Sequence, residues 1–313
     1  MLQEAVRSPT TTTAGSTTPR VVVITGADTN QVTLLRMMLA TLRAQPEGAS
    51  LPVACFDLGL TADDRALLAR ERVELLAPTH RFEVPGGPWP AWLDAYLAQP
   101  FLPETLPGWD VYLWIDADIW FQDGRAIAAY IDGALKQGFA IAHERTSMYR
   151  TQMWLTGWMG KHFVKGFGPM QGLWLLTRPH LNSGFYAMHA SAPHWAAWVE
   201  GYAGAMRRSR SPTPHGQFAI NQLVYGRLFG AAGLGTAVLE PWANWIVDRG
   251  PPMWNDEVGA FCEPAAPHRP LSALHLAGPG KKASYPVLRT GGGRFETRVL
   301  PGAGPGRVPP VLP

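Results

Sequence analysis

The sequence predicts an α/β fold with a mostly parallel central sheet and helices on both faces. Short, continuous apolar runs alternate with stretches of helical period, and polar turn residues gather where the runs end. Val21-Val22-Val23-Ile24-Thr25 is β-branched and lacks polar alternation, as in a strand buried on both faces. It ends in Gly26-Ala27-Asp28-Thr29-Asn30. Val32, Leu35, Leu39 and Leu42 then recur at helical spacing, and Asp28, Thr29 and Asn30 are each able to cap that helix. A second strand is expected at 52–56, and Thr61-Ala62-Asp63-Asp64 opens a second helix. Strands follow at 73–76 and at 110–115, the strongest of all, with further candidates at 139–142 and 185–188. Helices are expected at 125–136, 193–206 and 217–229. Sheets of this kind bind ligands outside the carboxyl ends of their strands, so function is sought in the polar residues there.

Composition narrows the classes. The 313 residues allow one large or two small domains. Charged residues make up 16%, below the usual share of about 25%, so the chain is globular rather than self-repelling. With 33 Gly and 29 Pro, turns and irregular loops are expected in abundance. A net charge of +3 does not suggest a nucleic-acid binder. No apolar run approaches the roughly 18 residues of a membrane span, and no secretory leader is evident. The two cysteines, Cys55 and Cys262, can build neither a disulfide scaffold nor a CxxC zinc site. A cytoplasmic location is the expectation.

Residues 1–19, rich in Thr, Ser and Gly, read as a disordered arm, and 286–313 as a Gly/Pro-rich tail without a core of its own. The segment 153–174 holds Trp154, Trp158, Phe163, Phe167 and Trp174 without clear helical periodicity. Three readings stand for it: an acceptor loop whose rings stack on sugars, a shallow peripheral contact with the inner face of the membrane through the rings with Lys161 and Lys165, or a satellite core.

Five short segments carry chemistry. In Trp114-Ile115-Asp116-Ala117-Asp118, two carboxylates leave a buried strand together. They repel each other unless a cation neutralises them, and a divalent metal bridging to a diphosphate does so. A strand-end turn with solvated aspartates is the plainer alternative, but apolar bulk on both sides argues against it. His275-Leu276-Ala277-Gly278-Pro279-Gly280-Lys281 offers an imidazole to complete the coordination, glycines for close backbone approach and a lysine charge for phosphate. Read alone, it is a Gly/Pro turn. Gly26 to Asn30 lacks both the dinucleotide fingerprint and the P-loop, so it is suited to a base edge or ribose, or simply to capping. Asn182-Ser183-Gly184 reads as a polar turn entering a strand, and Gln217-Phe218-Ala219-Ile220-Asn221 as a helix start. Both supply amides suited to hydroxyl recognition.

In this order the segments resemble the GT-A glycosyltransferases of the family 8 type, which includes glycogenin and bacterial lipopolysaccharide galactosyltransferases. The resemblance covers roughly Val21 to Lys281. Ala27-Asp28-Thr29-Asn30 is similar to the A-D-x-N nucleotide turn, and Trp114 to Asp118 to the hydrophobic-D-x-D motif. Asn182-Ser183-Gly184 is similar to N-[AS]-G, Gln217 to Asn221 to D-Q-x-x-[LI]-N, and His275 to Lys281 to H-x-x-G-x-x-K. The resemblance implies a GT-A nucleotide-diphospho-sugar transferase fold over 20–285. It implies Mn²⁺ or Mg²⁺ on Asp116, Asp118 and His275, and nucleotide contacts from Ala27, Asp28, Asn30, Asp116, Gly278 and Lys281. Asn182, Gln217 and Asp118 would be the catalytic residues, Asn182 and Gln217 facing the donor sugar. The donor would be a UDP-sugar and the acceptor a carbohydrate or glycolipid, with no nucleic acid as partner and with retention of anomeric configuration. Two departures stand out: Gly216 replaces the family's Asp before the Gln, and Gln99-Pro100 stands where some relatives carry Lys-Pro. A catalytically impaired sugar-binding protein and a nucleotidyltransferase are the competing readings. A kinase is disfavoured by the missing P-loop.

Overall fold

The structure, a computed structural model, describes residues 18–230 and 233–307. Most of the predicted arm, and the last residues of the predicted tail, lie outside the described residues. The first half of the chain alternates as expected: β1 (Val21–Ala27), α1 (Val32–Arg43), β2 (Val53–Asp57), α2 (Ala62–Arg70), β3 (Val73–Leu76), α3 (Trp92–Ala98), α4 (Leu102–Thr105), β4 (Val111–Ile115), β5 (Ile119–Phe121), α5 (Arg125–Gln137) and β6 (Phe139–His143). There follow α6 (Met153–Phe167), α7 (Pro169–Leu176), β7 (Leu181–His189), α8 (His194–Ser209), α9 (His215–Tyr225) and β8 (Ala237–Leu239). Short strands close the chain: β9 (Trp245–Ile246), β10 (Met253–Asn255), β11 (Ala260–Cys262), β12 (Ala273–His275), β13 (Tyr285–Leu288) and β14 (Arg294–Thr297).

The central sheet has seven strands in the order β3-β2-β1-β4-β7-β6-β8. All its pairings are parallel except those of β7, which runs antiparallel to both β4 and β6. Helices cover both faces. Leu35, Leu39, Leu68, Ile127 and Tyr130 of α1, α2 and α5 pack on one side, and Leu93, Trp195, Trp198, Ile220 and Leu223 of α3, α8 and α9 on the other. Both cysteines are buried and free. A second sheet, β5-β12-β9, continues directly from the end of β4. Its β5 lies antiparallel to β12 with Ile119 opposite His275. That register draws the far end of the chain onto the end of the strongest strand.

Five local expectations need correction. Asn182-Ser183-Gly184 is not a turn but the start of β7, a strand with eight of its nine residues buried. Asp28, Thr29 and Asn30 do not cap α1 at its N-cap position, which is Gln31. Asp28 instead accepts from the Gln31 N–H, and the Thr29 hydroxyl donates to Asp64 of α2. The helix expected at 217–229 begins at His215, and its last four residues tighten into a 3₁₀ turn.

The segment 153–174 forms two helices, α6 and α7, joined at Gly168. Its inner positions are partly glycine (Gly160, Gly166, Gly172) while Met153, Trp154 and Met170 point outward, which hides the apolar period from the sequence. A Cβ on Gly172 would lie 2.6 Å from the Val164 nitrogen, so the two helices touch backbone to backbone. Met159, Phe163 and Leu175 form a satellite core with Phe218.

Finally, the stretch expected as a coreless tail makes the β13–β14 hairpin and buries Val287, Val299, Leu300 and Ala303 against Trp245, Phe261 and Leu274. Trp120 of β5 donates its indole N–H to the Val299 carbonyl at 3.1 Å. The Gly and Pro content misleads because the few apolar residues between them have a waiting surface to cover.

Candidate active site

Two clefts meet at α3, the first of them at the carboxyl ends of β1 and β4. The first, about 400 Å³, is lined by Gly26, Ala27, Asp28 and Gln31 after β1, by Trp92 and Tyr96 of α3, and by Trp114, Asp116, Asp118 and Lys281. The second, about 390 Å³, is lined by Gln217, Gly216, His180, Tyr202, Trp158 and Arg249 among others. Trp92 and Tyr96 belong to both, one helical turn apart with rings edge to face at 5.7 Å.

Asp116 and Asp118 stand in the turn where the chain passes from the central sheet into the second one. The Asp116 N–H donates to the Gly184 carbonyl at 2.7 Å, and the Leu276 N–H to the Asp118 carbonyl at 3.0 Å. Both backbones are therefore pinned by neighbouring strands. The His275 Nε2 lies 3.3 Å from Asp118 Oδ1 and 3.8 Å from Asp116 Oδ2. One ligand atom from each of the three lies within 4.8 Å of the others, so the group could hold a metal ion. The donor set suits it: two carboxylates and an imidazole, the combination a hard or borderline divalent cation takes. Gly184 forms the floor. A Cβ there would sit 2.6 Å from both Asp116 Oδ2 and His275 Cε1, so only glycine leaves the ligands their positions.

The charges are strongly interdependent. Burial, with the neighbouring Asp118 carboxylate, raises the Asp116 carboxyl to about 6 although the Trp114 indole donates to it at 2.8 Å. Burial acts the same way on Asp118 but is outweighed by His275 and Lys281, which hold that carboxyl well below the usual range. Burial opposes charge on His275, yet the carboxylates, Asp118 foremost, raise its imidazole above the ordinary value. Lys281 Nζ lies 3.1 Å from Asp118 Oδ2. Its loop turns at Gly278, whose φ of +59° is left-handed, and the Lys281 carbonyl accepts from Arg298 at 2.8 Å. The tail thus braces the lysine.

The other expected residues are placed differently. Asn30 is exposed, and its amide turns to Asp28 rather than lining the cleft. Asn182 is buried, and both ends of its amide are engaged. Its nitrogen donates to Glu144, and its oxygen accepts from the Gly184 N–H at 2.9 Å and from Asn244 at 3.0 Å. Glu144 in turn pairs with Arg249 at 2.7 Å. Gln217 lines the second cleft, accepting from the Ser183 hydroxyl at 3.0 Å and meeting His180 Nε2 at 2.7 Å. Gly216 faces the Tyr202 ring, which a Cβ would approach to 3.1 Å, so an aspartate there would press on that ring. Gln99 is buried and brings no charge to the cleft.

Several site residues escape the sequence. Tyr96 stands close enough to Asp116 that the carboxylate is the largest cause raising its phenol. Gln31 lines the first cleft where Asn30 does not. Glu144, itself paired with Arg249, accepts from the Asn182 amide. Trp92 and Tyr96 at i, i+4 spacing were the one local signal available; the others meet only through tertiary packing.

No protein-family model matches this sequence, and no curated protein matches it. Among solved structures it is similar to galactosyltransferase LgtC in complex with donor and acceptor sugar analogues, with 13% identity and a TM-score of 0.52 over 82% of this chain and 87% of that one. An active-site mutant of LgtC gives 12% identity and a TM-score of 0.51 over the same shares. The apo structure of the bifunctional glycosyltransferase WbbM gives 13% and 0.50, over 84% of this chain and 46% of that one. The chain has the fold of the GT-A glycosyltransferases.

Proposed function

We propose that the protein is a metal-dependent glycosyltransferase that moves a sugar from a nucleotide-diphosphate sugar, a UDP-sugar, to an acceptor hydroxyl with retention. The observation that carries this reading is the Asp116–Asp118–His275 group with Lys281 against it, at the mouth of a cleft below the end of β1. Asp116, Asp118 and His275 would hold Mn²⁺ or Mg²⁺, which when bound supplies a Lewis acid against the diphosphate charge. Ala27, Asp28 and Gln31 border the nucleoside end of the cleft. Lys281 offers a positive charge that can turn from Asp118 to the leaving diphosphate, where such charge is worth most in a site shielded from water. The bond from the anomeric carbon to the phosphate oxygen breaks with its electron pair on that oxygen. The acceptor oxygen bonds to the same face, and its proton passes to the departing phosphate. The Gln217 amide, held by Ser183 and His180, is a poor nucleophile and acts by orienting sugar hydroxyls.

Thermal melting against nucleotide sugars, with and without Mn²⁺, tests the reading. A ligand at a hundred times its Kd adds about 2.7 kcal/mol to native stability. The expected result is a rise in Tm with one donor that requires the ion. Indifference of Tm to every nucleotide sugar, ion present, would falsify it. A second reading, a sugar-binding protein without turnover, is favoured by Gly216, which offers no side chain at the position before Gln217. Hydrolysis of the stabilising donor with Mn²⁺ separates the two.

A further inference from the structure

Charge is unevenly spread along this chain. Between Arg145 and Leu239 there are nine Lys and Arg and a single acidic residue, Glu200, whereas the remainder of the chain is net negative. The α6–α7 hairpin lies within this basic stretch, and its outward face is built with regular spacing. On α6, Trp154, Trp158, Lys161 and Lys165 follow at i, i+4, i+7 and i+11, all exposed; on α7, Met170 and Leu173 continue the surface. Trp154 is 70% exposed and Met170 76%. Beside them the 3₁₀ turn after α9 adds exposed Leu228 and Phe229, the latter with its ring 6.5 Å from that of Trp174. Arg207 and Arg208 of α8 border the depression that Phe167 and Phe229 also line. Among the described residues, none of Lys161, Lys165, Arg207 and Arg208 has an acidic partner.

Large apolar side chains left in water and interleaved with unpaired cations match one kind of surface: an apolar interior beneath anionic head groups. The inner face of the hairpin is already used, since Met159, Phe163 and Leu175 are buried on Phe218. The outer face is thus not a core strip waiting to close. No helix among the described residues is long and apolar enough to cross a membrane, so contact would be lateral.

We propose that the outer face of α6 and α7 docks on an anionic phospholipid bilayer, with the aromatic and methionine side chains at the head-group level and the lysines against lipid phosphates. Trp158 is shared between this face and the cleft that holds Gln217. Docking therefore sets the mouth of that cleft at the lipid surface and makes a lipid-linked sugar the acceptor class. This last step rests on the transfer reading above; the docking does not.

The experiment is co-sedimentation of the full-length protein with phosphatidylcholine vesicles, with and without phosphatidylglycerol, and no substrate present. Binding is expected to the anionic vesicles and to weaken as salt is raised. The double variant Lys161→Glu, Lys165→Glu should lower the apparent affinity by about tenfold or more, and Trp154→Ser should weaken binding at every salt concentration. Both variants should keep the wild-type Tm and the wild-type response to nucleotide sugar, because none of the three side chains lines either cleft. Absence of binding to both vesicle types overturns the proposal. So does binding that neither variant weakens. A wild-type dimer in analytical ultracentrifugation that Trp154→Ser converts to monomer also overturns it, by assigning the face to a second copy of the chain. Loss of vesicle binding with donor binding intact would leave the transfer reading standing, and the reverse would leave the docking standing.

Discussion

The Asp116–Asp118–His275 corner and the α6–α7 hairpin depart from ordinary burial in opposite directions. At the corner, the Asp118 carboxylate is buried against His275 and Lys281. On the hairpin, tryptophan, methionine and leucine side chains face water while, among the described residues, Lys161 and Lys165 have no acidic partner. Buried charge is costly unless paired, and exposed apolar surface forgoes stabilisation of about 25 cal/mol per Å². Neither arrangement serves folding. Each is accounted for by the proposals above, a divalent cation with a diphosphate in one case and a lipid surface in the other. The contrast also separates function from fold: substitutions at the corner should strike activity, and substitutions on the outer hairpin face should leave stability almost untouched.

The strongest way to break that contrast is Asp118→Asn. It keeps the shape and removes the charge, and donor turnover should fall by about a thousandfold or more. The Mn²⁺-dependent rise in Tm should vanish with it, a readout that needs no turnover. An unchanged response to the ion would detach the metal from this corner. Gly184→Ala comes next. Its methyl would stand 2.6 Å from Asp116 Oδ2 and His275 Cε1, so the ligands must shift, and a shift near 1 Å costs on the order of a hundredfold in rate. If this variant turns over normally, the floor of the site is elsewhere.

Acid sharpens the comparison from the side of stability. Burial lowers His180, beside Gln217, to about 4, and does the same to His194 and to His215, which abuts α6 at Gly166. Each is neutral in the folded chain while the unfolded chain still protonates near 6.5, so the unfolded state binds more protons between those values. Stability contributed by these groups is present above about pH 6.5 and is lost as pH falls toward 4, up to about 3 kcal/mol from each. Urea unfolding at a series of pH values should show that slope; a flat profile would mean these rings are hydrated. The smallest effect belongs to the hairpin: Met170→Ser should change the unfolding free energy by less than about 0.5 kcal/mol. A loss of several times that would show that the outer face packs against protein.

Much of the fold was legible because its signals are local. The run at 21–25, the period from Val32 to Leu42 and the helix opening at Thr61-Ala62-Asp63-Asp64 each lie within a dozen residues, and each formed its element. Asp116 and Asp118 were likewise visible, because two carboxylates closing an apolar strand are conspicuous without any partner. The helices α6 and α7 were not, since glycine on the inner face and tryptophan on the outer one erase the expected contrast. The tail was misread for a related reason: composition counts glycine and proline but is blind to the surface that Val299 and Leu300 cover.

The sequence by itself determined the alternation of strands and helices, the acidic pair and the identity of the histidine and lysine that could join it. Only the tertiary structure decided that they meet. The register of β5 against β12 sets His275 opposite Ile119, and β7, passing antiparallel beside β4, brings Gly184 beneath Asp116 and Ser183 to Gln217. Local patterns reflect which face a residue presents over a few neighbours. Which strands become neighbours depends on packing contacts between distant segments, and those are encoded only in the folded whole.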